Sequence, residues 1–314
     1  MVKPFISICI PAYKNTSYLK RLLDSIVLQS YSNYELIITD DSPDESVKLF
    51  LDEYRRLTNV RYFRNKPALG TPENWNEGIR RATGEWIKIM HDDDWFSGAS
   101  SLQKFADAAI SQPDCFIFSA YNNHFIEENR TAVVVPSSHR LRILEKEPYT
   151  LLAKNIIGPP SVTMHRNNGK HFYDRNTKWV VDIDFYIRRI GDENVHLIKE
   201  PLVNVGMSSA QVTVDCVNNR KIQVPENFYL LSKLSLARLN NIMVYDAWWR
   251  LIRNLEITDE SEIREAGYQG VIPQPIRQMI EAQRKIPRRL LTNGVFSKSS
   301  MFVHYLMHSN KSAS

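Results

Sequence analysis

Three consecutive carboxylates, Asp92-Asp93-Asp94, follow the apolar run Trp86 to Met90 and a single histidine, His91. In a partly desolvated crevice such close like charges repel one another, and a divalent cation is the usual reason to tolerate them. Oxygen donors favour Mg2+ or Mn2+. Such an ion keeps several waters and completes its shell with substrate phosphate oxygens, so one or two of the carboxylates suffice. A solvated acidic turn is the plainer alternative. A second acidic pair, Asp40-Asp41, closes another apolar run and can accept hydrogen bonds from a base N–H or a ribose hydroxyl, with Tyr13 against the base. Each of these alone is equally well a turn or a core edge. A third site lies in Trp179 to Tyr186, where Asp182 and Asp184 interrupt an apolar stretch. At the start of a helix, acids two residues apart point to different faces, so one can face a site while the other caps or solvates. A carboxylate beside a metal-bound diphosphate is a natural general base for an acceptor hydroxyl.

The elements that must position these groups alternate strand and helix over the first 120 residues, the pattern of a mostly parallel α/β sheet. Strands are expected at Phe5 to Ile10, Glu35 to Thr39, Val60 to Phe63, Trp86 to Met90 and Cys115 to Ser119. Leu19, Leu22, Leu23, Ile26 and Val27 form one helical face, with Asn15, Thr16 and Ser17 available as caps. Similar spacing marks helices around residues 47–54, 74–82 and 102–109. Ligands of open parallel sheets bind beyond the carboxyl ends of the strands, which is where Pro11-Ala12-Tyr13, Asp40-Asp41 and the triplet fall. Residues 1–120 thus read as a donor-binding region. Residues 121–225 are more irregular and read as an acceptor-binding and catalytic region of the same domain, and 226–314 as a helical extension.

Composition narrows the class. Hydrophobic residues at 43%, charged residues at 24% and only 11 Gly with 15 Pro describe a globular chain, not a disordered or collagen-like one. Cys9, Cys115 and Cys216 are too few and too scattered for a disulfide framework or a zinc site. No apolar run approaches the roughly 20 residues that span a bilayer. The N-terminus runs directly into a strand without a secretory leader, which predicts a cytoplasmic protein. No Gly-x-Gly-x-x-Gly follows the first strand and no P-loop is present, so a bound diphosphate would be held chiefly by metal. The net charge of +5 suits anionic partners, but the basic residues concentrate in the tail without a recognition motif, which argues against nucleic acid.

The ordered set of segments resembles glycosyltransferase family 2. It comprises Ser7-Ile8-Cys9-Ile10-Pro11-Ala12-Tyr13, Leu36-Ile37-Ile38-Thr39-Asp40-Asp41-Ser42, Asn76-Glu77-Gly78-Ile79 with Ala82-Thr83-Gly84-Glu85-Trp86-Ile87, the acidic triplet, and Asp182 with Phe185 and Arg188. The resemblance implies a GT-A fold and inverting transfer from a nucleotide-sugar donor, UDP-linked by default, to a glycan or lipid-linked acceptor in bacterial surface polysaccharide assembly. By the same resemblance Pro11, Ala12, Tyr13, Asp41, Asn76 and Asp92 contact the nucleotide, Asp93 and Asp94 hold the metal, and Asp182 is the catalytic base. The chain departs from the family at three places. The usual Asp-any-Asp-Asp run puts His91 at its first acid in one register, and Asp92 with Asp94 as the outer pair in another. Trp75 stands where many members carry Arg. Gly206 and Ser208 replace a frequent Arg and His, with Asn204, Ser209 or Gln211 as candidate substitutes.

Outside the resemblance, residues 273–298 carry Arg277, Arg284, Lys285, Arg288, Arg289 and Lys298 against one Glu281, interleaved with isoleucines and leucines. This basic amphipathic stretch fits a peripheral contact with anionic membrane on the inner face of the cell envelope, or equally a solvated face or an oligomer contact. Rival readings of the whole chain are a sugar nucleotidylyltransferase, which should show a Gly-rich phosphate loop, and a non-catalytic carbohydrate-binding protein, against which the retained acids count.

Overall fold

The computed structural model describes residues 5–54, 56–57, 60–208, 216–217 and 219–309. Strands β1 (Ile6–Ala12), β2 (Tyr34–Asp40), β3 (Val60–Arg64) and β4 (Trp86–Ile89) pair in parallel in the order β3-β2-β1-β4. Strands covered on both faces read as unbroken apolar runs, and Ile6, Ile8, Cys9 and Ile10 of β1 are all buried. Helix α1 (Thr16–Val27) starts where Asn15 accepts the Tyr18 N–H at 3.1 Å, and it buries Leu19, Leu22, Leu23 and Ile26. The sequence-based strands and helices of the first 120 residues recur within a few residues of their expected ends.

Beyond β4 the sheet changes direction. Strand β8 (Thr163–Arg166) pairs antiparallel with β4 and with β6 (Cys115–Phe125), and β6 pairs in parallel with the long β9 (Asn194–Met207). The two-residue β5 (Trp95–Phe96) caps the path antiparallel to β9, and β7 (Arg130–Val134) pairs with β6. In the nine-stranded sheet, β1, β2, β3, β4, β6 and β9 point one way, so the sheet is mostly parallel in direction. Helices pack around it.

Why Gly84 stands in its motif is visible at the start of β4. A Cβ there would meet Ser7 Oγ at 2.7 Å and the Ser7 nitrogen at 2.8 Å. That close approach lets the Gly84 N–H donate to Ser7 Oγ, which donates in turn to Glu35.

Two compact units are present. One comprises Met1–Lys146, Ile156–Arg175 and Asp184–Gln211; the other comprises Glu147–Asn155, Asn176–Ile183 and Val212–Ser314. The second unit has its own core of Phe228, Trp248, Trp249, Ile263, Ile276 and Met279, with Leu152 packed against it. Ile276, Ile280 and Leu291, part of the apolar stripe of 273–298, are buried there. The large apolar side chains exposed near the end of the chain belong mainly to the last helix, Gly294–Ser309. No described helix is long and apolar enough to cross a membrane.

Candidate active site

The acidic turn follows β4, and three other segments hold it. Asp94 is 2% exposed; it accepts the Gly206 N–H of β9 at 3.0 Å and the hydroxyl of Ser161. Ser161 Oγ also accepts the His91 N–H at 2.9 Å. The Asp93 carbonyl accepts Arg21 Nη2 of α1 at 2.8 Å, and that guanidinium lies 3.9 Å from the centre of the Trp95 ring. Gly206 is required here for space, because a Cβ would come within 2.4 Å of the Asp93 carbonyl oxygen and 3.4 Å of Arg21 Nη2. The replacement of the family's larger residue at 206 therefore follows from how closely β9 approaches the turn.

The charges of this turn are poorly compensated by the protein. Burial, then the charge of Asp93, raises the Asp94 carboxyl well above its ordinary range. The same two causes push Asp92 up to about 7, although it accepts the Tyr13 N–H. Asp92 retains some exposed surface as a residue, while its carboxyl is enclosed. Beneath the turn, fully buried Lys88 donates to the Ser161 carbonyl and lies 4.6 Å from the centre of the Phe105 ring; burial pulls its ammonium down to about 7. Donor atoms of His91, Asp93 and Asp94 lie within 4.8 Å of one another, a span one cation can bridge. These groups fit a divalent ion in number and chemistry.

At the carboxyl ends of the neighbouring strands, Pro11 and Ala12 close β1 opposite Thr39 and Asp40. Tyr13 is 54% exposed, with the Lys14 ammonium 4.9 Å from the centre of its ring. Asp41 is used differently from the simplest reading. Its carboxylate accepts Asn65 Nδ2 at 2.8 Å, the Leu69 N–H at 3.0 Å and the Gly70 N–H at 2.7 Å, closing the loop that leads into helix α3 (Glu73–Arg81). Asn76 is 1% exposed, and its amide bridges to both backbone groups of Tyr173, at 2.8 and 2.9 Å. Asp41 and Asn76 thus shape loops with their polar atoms, whereas Tyr13 and Asp92 are joined directly. Trp75 packs against His91 with the rings tilted and their centres 4.6 Å apart.

In the second unit, Asp182 accepts Asn155 Nδ2 at 2.9 Å and its neighbour's N–H, from Ile183, at 2.9 Å. Burial pushes its carboxyl up to about 6. Glu226 holds the chain leading to it, accepting the N–H groups of Lys178, Trp179 and Val180 at 2.9, 2.7 and 3.2 Å. In the first unit, Asp184 pairs with Arg188 at 2.9 Å, and Phe185 stacks on Tyr173 at 4.0 Å. Asn204 accepts Asn122 Nδ2 at 2.9 Å, while Ser209 and Gln211 lie outside the described residues. Sequence reasoning missed Arg21, Ser161 and Glu226. Each is an ordinary residue far from the motif it supports, and no local pattern could have marked it.

Residues 7–164 match the model of the family described as Glycosyl transferase family 2. The chain belongs to glycosyltransferase family 2. Among relatives of this family 2 enzyme, an uncharacterized glycosyltransferase of Haemophilus influenzae is 26% identical over 223 residues, covering 69% of this chain and 74% of its own. An uncharacterized protein of Mycobacterium tuberculosis, MT1568, is 25% identical over 305 residues, covering 91% and 94%. In fold the enzyme is similar to residues 1–349 of Staphylococcus aureus TarS in complex with UDP-GlcNAc, with a TM-score of 0.54 at 14% identity over 89% of this chain and 91% of that one. It is similar also to the Pyrobaculum calidifontis mannosyltransferase PcManGT in complex with GDP-Man and Mn2+, with a TM-score of 0.55 at 14% identity over 99% and 87%. The glycosyltransferase therefore has the mostly parallel, helix-flanked sheet of the GT-A class.

Because a methyl group at 206 would collide with backbone, Gly206→Ala must push β9 off the acidic turn. Denaturant titration should show a loss of about 1–3 kcal/mol in stability. Mn2+ titration of the folded variant should show weaker binding than in the wild type.

Proposed function

We propose that this family 2 enzyme transfers a sugar with inversion from a nucleotide diphosphate donor, with a UDP-sugar favoured, to the hydroxyl of a glycan or lipid-linked acceptor. The observation that carries this reading is the pairing of two kinds of carboxyl site in one chain. One is the crowded His91-Asp93-Asp94 turn tied to Tyr13 through Asp92, and the other is the enclosed single carboxyl of Asp182. When bound, Mn2+ or Mg2+ neutralises charge on the diphosphate leaving group. Tyr13 lies against the base, Pro11 and Ala12 close the nucleotide's side of the sheet, and Asp92 meets the ribose. Asp41 and Asn76 serve the nucleotide by fixing the loops around it. Asp182 takes the proton of the acceptor hydroxyl as that oxygen bonds to the anomeric carbon and the bond from that carbon to the diphosphate breaks. One carboxylate acting once, with no glycosyl-enzyme intermediate, inverts the anomeric centre. A neighbour in complex with UDP-GlcNAc supports a UDP donor, and one with GDP-Man supplies the alternative to test. Surface polysaccharide assembly is the setting we propose.

Peripheral contact with anionic lipid belongs to the same reading, but its apolar part shifts. With Ile276, Ile280 and Leu291 packed inward, Leu290, Val295, Phe296, Phe302, Val303, Leu306 and Met307 are exposed apolar groups of this end of the chain, 40–79% accessible. Arg284, Lys285 and Arg289 precede them in the chain and are exposed. Each cation near an anionic surface contributes about 1 kcal/mol.

Two measurements test these readings. Nucleotide-sugar turnover, assayed with UDP- and GDP-linked donors, should require a divalent ion and fall about tenfold per pH unit below about 6, where Asp182 becomes protonated. Asp182→Asn should remove both the activity and that acidic limb; full turnover by the variant excludes Asp182 as base, and no turnover or binding of any donor leaves the carbohydrate-binding alternative. In vesicle sedimentation the wild type should bind phosphatidylglycerol-containing vesicles over neutral ones. Reversal of charge at Arg284, Lys285 and Arg289, or Phe302→Ser with Leu306→Ser, should each lower that binding; equal binding by all would remove the membrane contact.

A further inference from the structure

We propose that His91 is itself a ligand, through its imidazole nitrogen, of the divalent ion at the acidic turn, and that this nitrogen biases the site toward Mn2+ over Mg2+. The inference rests on the metal reading above and adds to it a donor and a selectivity. Three observations support it.

The first is position. An imidazole donor atom of His91 and carboxylate oxygens of Asp93 and Asp94 share a space no wider than 4.8 Å. A single ion can therefore meet one nitrogen and two oxygens, leaving its other positions to diphosphate oxygens and water.

The second is that Nε2 of His91 is buried with no hydrogen-bond partner among the described residues. Folded proteins keep few such atoms, and each calls for an explanation. Such a nitrogen, on a residue that shares its turn with two carboxylates, is an orphan without an ion and available as a ligand with one.

The third is that the ring is held in place. The His91 N–H donates to Ser161 Oγ at 2.9 Å, and the same hydroxyl reaches Asp94, so one serine fixes the backbone of the nitrogen donor and the carboxylate of an oxygen donor. Trp75 packs against the imidazole at 4.6 Å, and Tyr173 braces Trp75 edge-on at 5.1 Å. Trp75 is thus accounted for by the histidine it supports.

Imidazole suits first-row transition ions, whereas Mg2+ prefers oxygen and sheds water reluctantly. Exchanging an oxygen donor for nitrogen in an otherwise unchanged pocket should therefore weaken Mg2+ more than Mn2+.

The test uses the full chain with UDP and reads metal binding rather than turnover. Pulsed EPR of bound Mn2+ should show coupling to an imidazole 14N, replaced by a 15N signature in protein labelled at histidine. His91→Asp should abolish that coupling and lower the ratio of Mn2+ to Mg2+ affinity at least fivefold, while His91→Asn should weaken Mn2+ alone. Mn2+ bound to the wild type without imidazole coupling overturns this proposal and leaves the metal reading intact; that arm needs no variant to fold. Failure of both Mn2+ and Mg2+ to bind in the presence of UDP overturns the metal reading and this proposal together.

Discussion

Enclosing several carboxylates at the end of one strand is unfavourable, and much of the first unit can be understood as its compensation. The turn after β4 is clamped by a β9 N–H on Asp94, an α1 guanidinium on the Asp93 carbonyl, and a serine hydroxyl between Asp94 and the His91 backbone. None of these removes the charge. They fix its position, and the electrostatic cost that remains shows in the raised Asp92 and Asp94 carboxyls. The buried ammonium of Lys88 points the same way, since its hydrogen bond goes to a backbone carbonyl and not to a carboxylate.

That constraint also explains a substitution that looks like a loss. Where the resemblance to the family implies a large basic side chain, this chain has Gly206, on a strand that passes too close to the turn to accept even a methyl group. Backbone N–H replaces side chain as the contribution from that strand. The enzyme has exchanged a reaching residue for a rigid edge.

Strands β1 and β2 were legible because strands covered on both faces read as apolar runs, the edge strand β3 because it is rich in β-formers, and the helices because they repeat at helical spacing. Strand β9 was not: it is 14 residues long, interrupted by Pro201 and by register shifts against β6, and alternates without a clean apolar run. For the site, residue type and order singled out Asp92 to Asp94, Tyr13 and Asp182 as candidates. They did not say where each polar atom is spent, and Asp41 and Asn76 spend theirs on the protein's own backbone. His91 was visible as a letter in the motif, but only the packing of Trp75 and the isolation of its Nε2 give the ring a role. Arg21, Ser161 and Glu226 act across 46 to 72 positions of chain, a separation that carries no pattern.

Glu226 has a wider consequence. One carboxylate from a C-terminal helix gathers three successive backbone N–H groups just ahead of Asp182, and the stretches 147–155 and 176–183 share a compact unit with that helix. The C-terminal helices are therefore not a detachable module. Chimeras that exchange them between relatives to graft acceptor preference would have to carry both short stretches as well, so that three separate pieces of sequence are inherited as one.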